Sequence, residues 1–341
     1  MNKLRALKDF LWGDGRRSLL LLASLLLLAA LTHPGLALRR NAYNYLAVLD
    51  ITQSMNTQDY RDASGQPVSR LAHAKQALRQ VLLKLPCGSK IGLGIFTEYR
   101  SFMLFAPVEV CANYGDISST LEHMDGRMAW AGGSEIAKGL YSGLRVAAEL
   151  KQKPALVFIS DGHEAPPINP RHRTPFLGKP GEIKGIIIGA GGLTLLPIPK
   201  TAPDGKPLGY WSAQEVQQTD NYSLGRGSSV KGEGMVETEN APAVYLGSAP
   251  GAEHLSALHE SYLKLLAQET GLLYYRLGET RDLGAALTDP ALAQLQTVAT
   301  DLAWIPASLA LLCLIAVYLP GYVPRKIVFF KALTAKDAKN P

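Results

Sequence analysis

Three short segments of the chain carry side-chain oxygen atoms in a pattern suited to holding a cation. The first holds Asp50, Thr52 and Ser54 and directly follows the apolar run YLAVL. The second is Ser134, which two glycines precede, and the third is Asp161, which follows the apolar run ALVFI and one serine. Two carboxylates and three hydroxyls form an all-oxygen ligand set, which suits a hard cation. We therefore expect these residues to bind Mg²⁺, or another divalent cation such as Ca²⁺ or Mn²⁺.

The elements around these segments alternate between two hydrophobic patterns. Short apolar runs that end in polar residues predict buried parallel strands at 45–49, 155–159, 183–188 and 272–275. Helical spacing of apolar residues predicts helices at 68–85, 117–124, 134–150, 258–270 and 283–295. This alternation predicts an α/β fold, a doubly wound and mostly parallel sheet covered on both faces. Ligands bind at the carboxyl ends of the strands in such a sheet, where Asp50 and Asp161 are placed.

One pair of strands is expected to be antiparallel. The runs 91–96 and 101–105 are joined by a tight connection, which predicts an edge hairpin. Position numbers of residues paired across a hairpin have a constant sum, about 197 here, and Cys87 and Cys111 sum to 198. The two cysteines should therefore lie nearly opposite each other and form a disulfide. The alternative is a pair of buried free thiols.

The order of the oxygen-bearing residues resembles the metal-ion-dependent adhesion site of von Willebrand factor A domains. The resemblance covers about residues 43–290 and includes AQETGLLYY at 267–275. It implies that the hydroxyls of Thr52, Ser54 and Ser134 bind the metal directly, and that Asp50 and Asp161 bind it directly or through water. Thr52 and Ser134 depart from the usual Ser and Thr, but both keep the hydroxyl. The alternative is that Ser54 and Ser134 merely cap helices.

The resemblance also implies a function. A single such domain with an apolar segment at each end is similar to the bacterial Bat and Mxa-type proteins, which are associated with MoxR-type AAA+ ATPases. A binding module is then expected, whose protein partner supplies a carboxylate to the metal. Its role would be the assembly, maturation or metal insertion of an exported protein, methanol dehydrogenase being one case, together with other von Willebrand domains. The alternative is an adhesion or surface-sensing protein that uses the same site.

Enzymatic activity is not expected from this sequence. Catalysis beside the metal would need a nucleophile or base, and His163 and Glu164 are the two side chains placed to supply one. Both are interpreted as solvated loop residues, and the alternative is that they line the rim of the metal site. The chain is therefore predicted to be a binding protein.

The net positive charge of the chain lies at its two ends. The formal net charge is +6, yet residues 1–17 carry a net +3 and residues 321–341 a net +4, so the remainder is slightly acidic. The basic balance therefore gives no support for a nucleic-acid partner. Basic tails beside apolar segments are instead typical of the cytoplasmic flanks of membrane spans.

Two apolar segments are predicted to cross the cytoplasmic membrane and to flank the domain. They cover 18–38 and 302–319, close to the roughly 20 residues that a span needs. The first segment also fits a cleaved secretory signal, so two interpretations of it remain open. With both basic tails inside, the domain at 41–300 lies on the periplasmic side. The Gly- and Pro-rich stretch at 189–253 is interpreted as an insertion within that domain.

Overall fold

The computed structural model describes residues 15–130, 132–165, 167, 173–202, 204–216, 251–278 and 282–319. The chain divides into two compact units. One unit comprises Asn41–Gln296, and the other combines the two ends, Met1–Arg40 and Thr297–Pro341. The basic tails predicted at 1–17 and 321–341 fall outside the described residues, apart from 15–17.

A six-stranded sheet forms the centre of the Asn41–Gln296 unit. Its strands, in chain order, are β1 Asn44–Asp50, β2 Lys90–Thr97, β3 Arg100–Glu109, β4 Ala155–Ser160, β5 Gly185–Gly189 and β6 Leu273–Arg276. They are arranged in the order β6-β5-β4-β1-β2-β3, and every neighbouring pair is parallel except β2 and β3. The mostly parallel sheet with one antiparallel edge strand is therefore confirmed.

Helices cover both faces of this sheet. They are α1 Arg70–Lys84, α2 Tyr114–His123, α3 Ile136–Glu149, α4 Glu260–Thr270 and α5 Leu283–Leu287. Helices α1, α2 and α5 share one hydrophobic core with Tyr45 and Leu49 of β1, and α3 and α4 share a second core with Leu46 and Val48. Adjacent residues of β1 thus point to opposite faces, as the two-residue period of a strand requires. Burial on both faces explains why β1 is apolar throughout its length.

The hairpin of β2 and β3 is longer than the sequence predicts. Pairing extends from Thr97 and Arg100 at the turn to Lys90 and Glu109, and the register shifts around Leu93. The open end carries Cys87 and Cys111, which are joined in a disulfide with their Cα atoms 5.4 Å apart.

The last predicted helix, 283–295, is wrong in its second half. Helix α5 ends at Leu287, a single 3-10 turn covers Pro290–Leu292, and a strand then runs from Gln294 to Asp301. Proline lacks a backbone N–H and disfavours helical geometry in the residue before it, so Pro290 stops the helix. The new strand pairs with a second unpredicted strand, Gly35–Ala42.

The unit formed by the two ends contains two apolar helices that pack against each other, Gly15–Leu31 and Trp304–Tyr318. The segment predicted at 18–38 is therefore helical only as far as Leu31. Pro34 ends it, His33 takes a positive φ of 46°, and the chain becomes extended at Gly35. Within the described part of the chain, no helix combines the length and the apolar character that crossing a membrane requires.

The stretch predicted as an insertion is partly ordered into small sheets. Leu196–Pro197 pairs with Leu255–Ser256, and Pro199–Thr201 pairs with Pro207–Tyr210, both antiparallel. Residues 217–250 of the predicted insertion lie outside the described residues.

Candidate metal-binding site

The sheet topology places Asp50 and Asp161 side by side. After β1 the chain moves to β2 on one side, and it later returns to β4 on the other side. Neighbouring parallel strands whose connections leave in opposite directions form a crevice at their carboxyl ends. Asp50 is the last residue of β1, Asp161 follows β4, and both are completely buried.

Short hydrogen bonds fix the Asp50 carboxylate. Its Oδ1 accepts the backbone N–H of Thr52 at 2.9 Å and the Thr52 hydroxyl at 2.6 Å, and its Oδ2 accepts the Ser160 hydroxyl at 2.7 Å. The Thr52 and Ser54 hydroxyl oxygens are 3.4 Å apart. Three of the five predicted residues therefore form one polar cluster. Ser160 belongs to it as well, although the sequence analysis gave it no role.

Two loops hold Ser134 in place from opposite sides. Its N–H donates to the carbonyl of Ala165 at 2.6 Å, its carbonyl accepts the N–H of Ala165 at 2.8 Å, and it also bridges to Glu98 in the β2–β3 turn. The Ser134 hydroxyl is buried and has no hydrogen-bond partner among the residues that the structure describes. Helix α3 begins only at Ile136, so this hydroxyl does not cap it.

Asp161 is held on both of its oxygens. Its Oδ1 accepts the backbone N–H of His163 at 3.0 Å, and the Ser54 hydroxyl also donates to this carboxylate. Its Oδ2 forms a 2.6 Å ion pair with Arg70. The chain turns sharply at Gly162, whose φ of +76° and closeness to Leu263 leave no room for a side chain.

Arg70 is the main residue of the site that sequence reasoning missed. Its side chain is fully buried, and its guanidinium contacts Asp59 through Nε and NH2, Asp161 through NH1, and the hydroxyl and carbonyl of Ser256. Gly191 allows this arrangement, because a Cβ there would lie 2.7 Å from Arg70 Nε. The one sequence signal was weak: a cation in the first turn of a helix opposes the helix dipole, so it needs another reason to be there.

The electrostatics of the two aspartates differ. Burial raises the pKa of Asp50 to about 7, repulsion from Asp161 adds to this, and the hydrogen bonds from Thr52 and Ser160 oppose it. Burial also acts to raise the pKa of Asp161, but Arg70, His163 and the hydrogen bond from Ser54 together outweigh it and hold that pKa below its usual range. The two buried carboxylates therefore repel each other in the metal-free protein, and a cation bound by both would relieve the repulsion.

His163 and Glu164 are not the solvated loop residues that the sequence predicts. Their relative exposures are 4% and 7%. Burial lowers the pKa of His163 to about 4, so its imidazole is neutral at pH 7. Burial raises the pKa of Glu164 to about 8, and this carboxyl group accepts a hydrogen bond from the Tyr262 hydroxyl. The loop after β4 folds back between helices α3 and α4, which explains why both side chains are buried.

The side chains present fit a hard divalent cation. Thr52, Ser54 and Ser134 line one cavity, and the buried carboxylates of Asp50 and Asp161 accept hydrogen bonds from the Thr52 and Ser54 hydroxyls. All five side chains offer only oxygen, and the Ser134 hydroxyl has an unused lone pair. Asp50, Asp59 and Asp161 against Arg70 give the buried cluster a formal charge of −2 when all are ionised. A divalent cation would neutralise this charge.

Residues 45–163 match the family model of the von Willebrand factor type A domain. The matched range begins in β1 and ends just after Asp161, so it contains all five predicted ligands. This part of the chain is therefore similar to von Willebrand factor type A domains. Domains of this type generally mediate protein–protein interactions. No curated protein matches the chain.

Several solved structures resemble the von Willebrand domain and its surroundings. An aerotolerance-related membrane protein from Bacteroides fragilis is 16% identical, with 72% of this chain and 96% of that chain covered and a TM-score of 0.43. BatB from Bacteroides thetaiotaomicron is 15% identical, with 72% and 95% covered and a TM-score of 0.44. A membrane-spanning protein from Vibrio fischeri is 16% identical, with 72% and 95% covered and a TM-score of 0.26.

Proposed function

We propose that this chain is a membrane-anchored, metal-dependent protein-binding module. Mg²⁺ is held by Asp50, Thr52, Ser54, Ser134 and Asp161, and a carboxylate from a protein partner completes its coordination. The observation that carries this proposal is the buried Ser134 hydroxyl, which lacks a partner within the described residues and belongs to the same site as two facing aspartates. An oxygen atom that is buried without a hydrogen bond is costly, and a cation would satisfy it.

Arg70 shapes how the metal is held. Its ion pair occupies Oδ2 of Asp161, so that oxygen is not free to face a cation directly. In this proposal Asp50, Asp161 and the three hydroxyls would hold Mg²⁺, the two aspartates either directly or through water. A cation with few anionic ligands stays electron-poor and keeps its affinity for a partner's carboxylate.

The cellular role follows from the resemblance to the Bat and Mxa-type proteins. In this proposal the module helps assemble, mature or load metal into an exported protein, together with a MoxR-type ATPase and other von Willebrand domains. Methanol dehydrogenase is the client that the Mxa resemblance favours. The surface of the two terminal helices supports anchoring, because their large apolar side chains are exposed, among them Leu25, Leu28, Leu311, Leu312 and Ile315.

Calorimetric titration of the full chain with Mg²⁺ tests the metal site. We expect the wild type to bind Mg²⁺, and Asp50→Asn and Asp161→Asn to lose this binding while both remain folded, because each removes one charge of the facing pair. Asp62→Asn is the matched control, since Asp62 is an exposed aspartate whose carboxylate accepts hydrogen bonds from Ser64 and Gln66 of its own turn. Equal Mg²⁺ affinity in all four proteins would show that these residues are not the ligands.

A further inference from the structure

A cavity of about 320 Å³ opens over the proposed metal site. It is lined by Thr52, Ser54, Ser134 and His163 from the matched domain and by Ile198 and Trp211 from the stretch that follows β5. The site is therefore not an open face of the sheet. Its approach is restricted by residues that lie outside the range matched by the family model.

Three buried polar atoms of the cavity lining have no hydrogen-bond partner in the part of the chain that the structure describes. They are the Ser134 hydroxyl, Nδ1 of His163 and Nε1 of Trp211. An indole N–H can only donate, so what satisfies Trp211 must be an acceptor. Buried polar groups in native proteins nearly always find a partner, which points to a ligand in this cavity.

Trp211 is held firmly in this position. It directly follows the strand Pro207–Tyr210, and its backbone N–H donates to the carbonyl of Ile198 at 3.0 Å. The ammonium of Lys200 lies over its ring, 4.5 Å from the centroid, and also pairs with Glu215. An indole fixed from several sides offers its N–H without having to be ordered first, which favours binding.

The charges around the cavity identify the acceptor. Glu215 and Glu253 also line it, and the Glu215 carboxylate is held by Lys200 and Ser212. These acidic groups would repel an anion unless a cation bound at Ser134 attracted it. A carboxylate meets both requirements, because one oxygen can bind the cation while the other accepts the Trp211 N–H.

We propose that Trp211 recognises the acidic side chain of the partner in this cavity, by donating its indole N–H to the carboxylate oxygen that the cation does not bind. The volume lies at the lower end of the range for small-ligand pockets, enough for one aspartate or glutamate side chain and its neighbouring backbone. This proposal rests on the proposed function, since the cation must be present to hold the second carboxylate oxygen.

The indole resonances of the full chain test this proposal. The chain has four tryptophans, so the ¹⁵N-labelled indole groups give a simple spectrum, in which Trp211→Phe identifies one signal. The probe is N-acetyl-glutamate N-methylamide, and the control probe is its glutamine counterpart, which has the same size and no charge. With saturating Mg²⁺, the Trp211 N–H signal should move downfield and saturate with the glutamate probe only.

Two variants complete the experiment. Trp211→Phe keeps an aromatic ring but removes the indole N–H donor. The affinity of this variant for the probe, measured by ligand line broadening, should fall by about tenfold or more. Its Mg²⁺ affinity should be unchanged. Trp304→Phe alters an exposed indole in the unit formed by the two chain ends and should change neither affinity. A Trp211 signal that stays fixed while Mg²⁺ binds overturns this inference and leaves the metal site standing. Absence of Mg²⁺ binding overturns both, and a Trp211 shift without Mg²⁺ overturns the metal-dependent recognition.

Discussion

Arg70 gives two buried carboxylates their only close cationic partner in the described structure. It pairs with Asp59 and Asp161, and all three side chains are at most 5% exposed. Removing one member of a buried ion network leaves uncompensated charge inside the protein, which is far more costly than losing an exposed pair. We expect Arg70→Gln to lower the free energy of unfolding of the metal-free protein by roughly 3–5 kcal/mol, measured by urea titration.

Added Mg²⁺ should reduce the difference in the free energy of unfolding between the wild type and Arg70→Gln. Without Arg70 the cluster is more negative, so the variant binds the cation more strongly and gains more stability from it. Arg79→Gln is the control, because Arg79 forms an exposed pair with Glu122 and should cost less than about 1 kcal/mol. If Arg70→Gln were as mild as Arg79→Gln, Arg70 would have no role in balancing the charge of this site.

The residues of the site differ in how well the sequence alone predicts their role. Asp50 and Asp161 stand at the ends of apolar runs, and the chain order of β1 and β4 brings them together. The roles of Arg70 and Trp211 could not be predicted in this way, because neither residue stands at the end of an apolar run. Their roles depend on contacts between segments that are distant in the chain, such as the 2.6 Å contact of Arg70 with Asp161, which lies 91 positions away.

At the level of elements, the edge hairpin depends on a cross-link at its open end. The disulfide of Cys87 and Cys111 closes a loop with a sequence separation of 24, which contains both β2 and β3. In the chain-entropy model such a loop contributes about 3 kcal/mol to stability, by restricting the unfolded chain. We expect the double variant Cys87→Ser, Cys111→Ser to lose about this much in urea unfolding under oxidising conditions.

Thiol labelling of the denatured, unreduced protein gives the direct measurement. One reactive thiol, Cys313, is expected, since Cys87 and Cys111 are bonded. Cys313→Ser serves as the control for stability, and it should leave the unfolding of the domain unchanged. Three reactive thiols in protein isolated without reductant would show that the pair remains reduced.

Prediction of the elements succeeded where the hydrophobic period was long and unbroken. Every predicted strand of the central sheet is present. A strand that is buried on both faces is a continuous apolar run, which is easily recognised in the sequence. The errors lie at Pro34 and Pro290, where a local break outweighs the apolar pattern. The register shift near Leu93 was also not predicted, although Gly92 and Pro107, residue types that often mark a bulge, lie beside it.

On the scale of the whole molecule, charge and apolar surface are separated along the chain. The two tails account for the net positive charge of the chain, and the two terminal helices carry a large share of the exposed apolar side chains. The helix Gly15–Leu31 has 17 residues and Trp304–Tyr318 has 15. At 1.5 Å per residue these lengths are about 26 and 23 Å, against a hydrocarbon core of about 30 Å. Flanking residues must therefore contribute if the proposed anchor crosses the bilayer.

The proposed topology also decides which partners can touch which part of the molecule. With both tails in the cytoplasm, a cytoplasmic ATPase reaches only the tails, while the metal site faces exported proteins. In the alternative orientation, the metal site lies in the cytoplasm within reach of the ATPase, and the tails face exported proteins. Topology is therefore the property that most sharply divides the proposed roles.

We expect both tails to lie in the cytoplasm and the von Willebrand domain outside it, because basic residues flanking apolar segments are retained on the cytoplasmic side. Alkaline phosphatase, which folds only after export, should be inactive when fused after Pro341 and active when inserted near Gly227. A fluorescent protein that folds only in the cytoplasm, fused at the same two positions, should give the opposite pattern and controls for expression. Replacing the five basic residues of 321–341 by Gln should weaken retention of that tail, because their charge holds it inside. Phosphatase activity after Pro341 together with inactivity near Gly227 would place the metal site in the cytoplasm and within reach of an ATPase there.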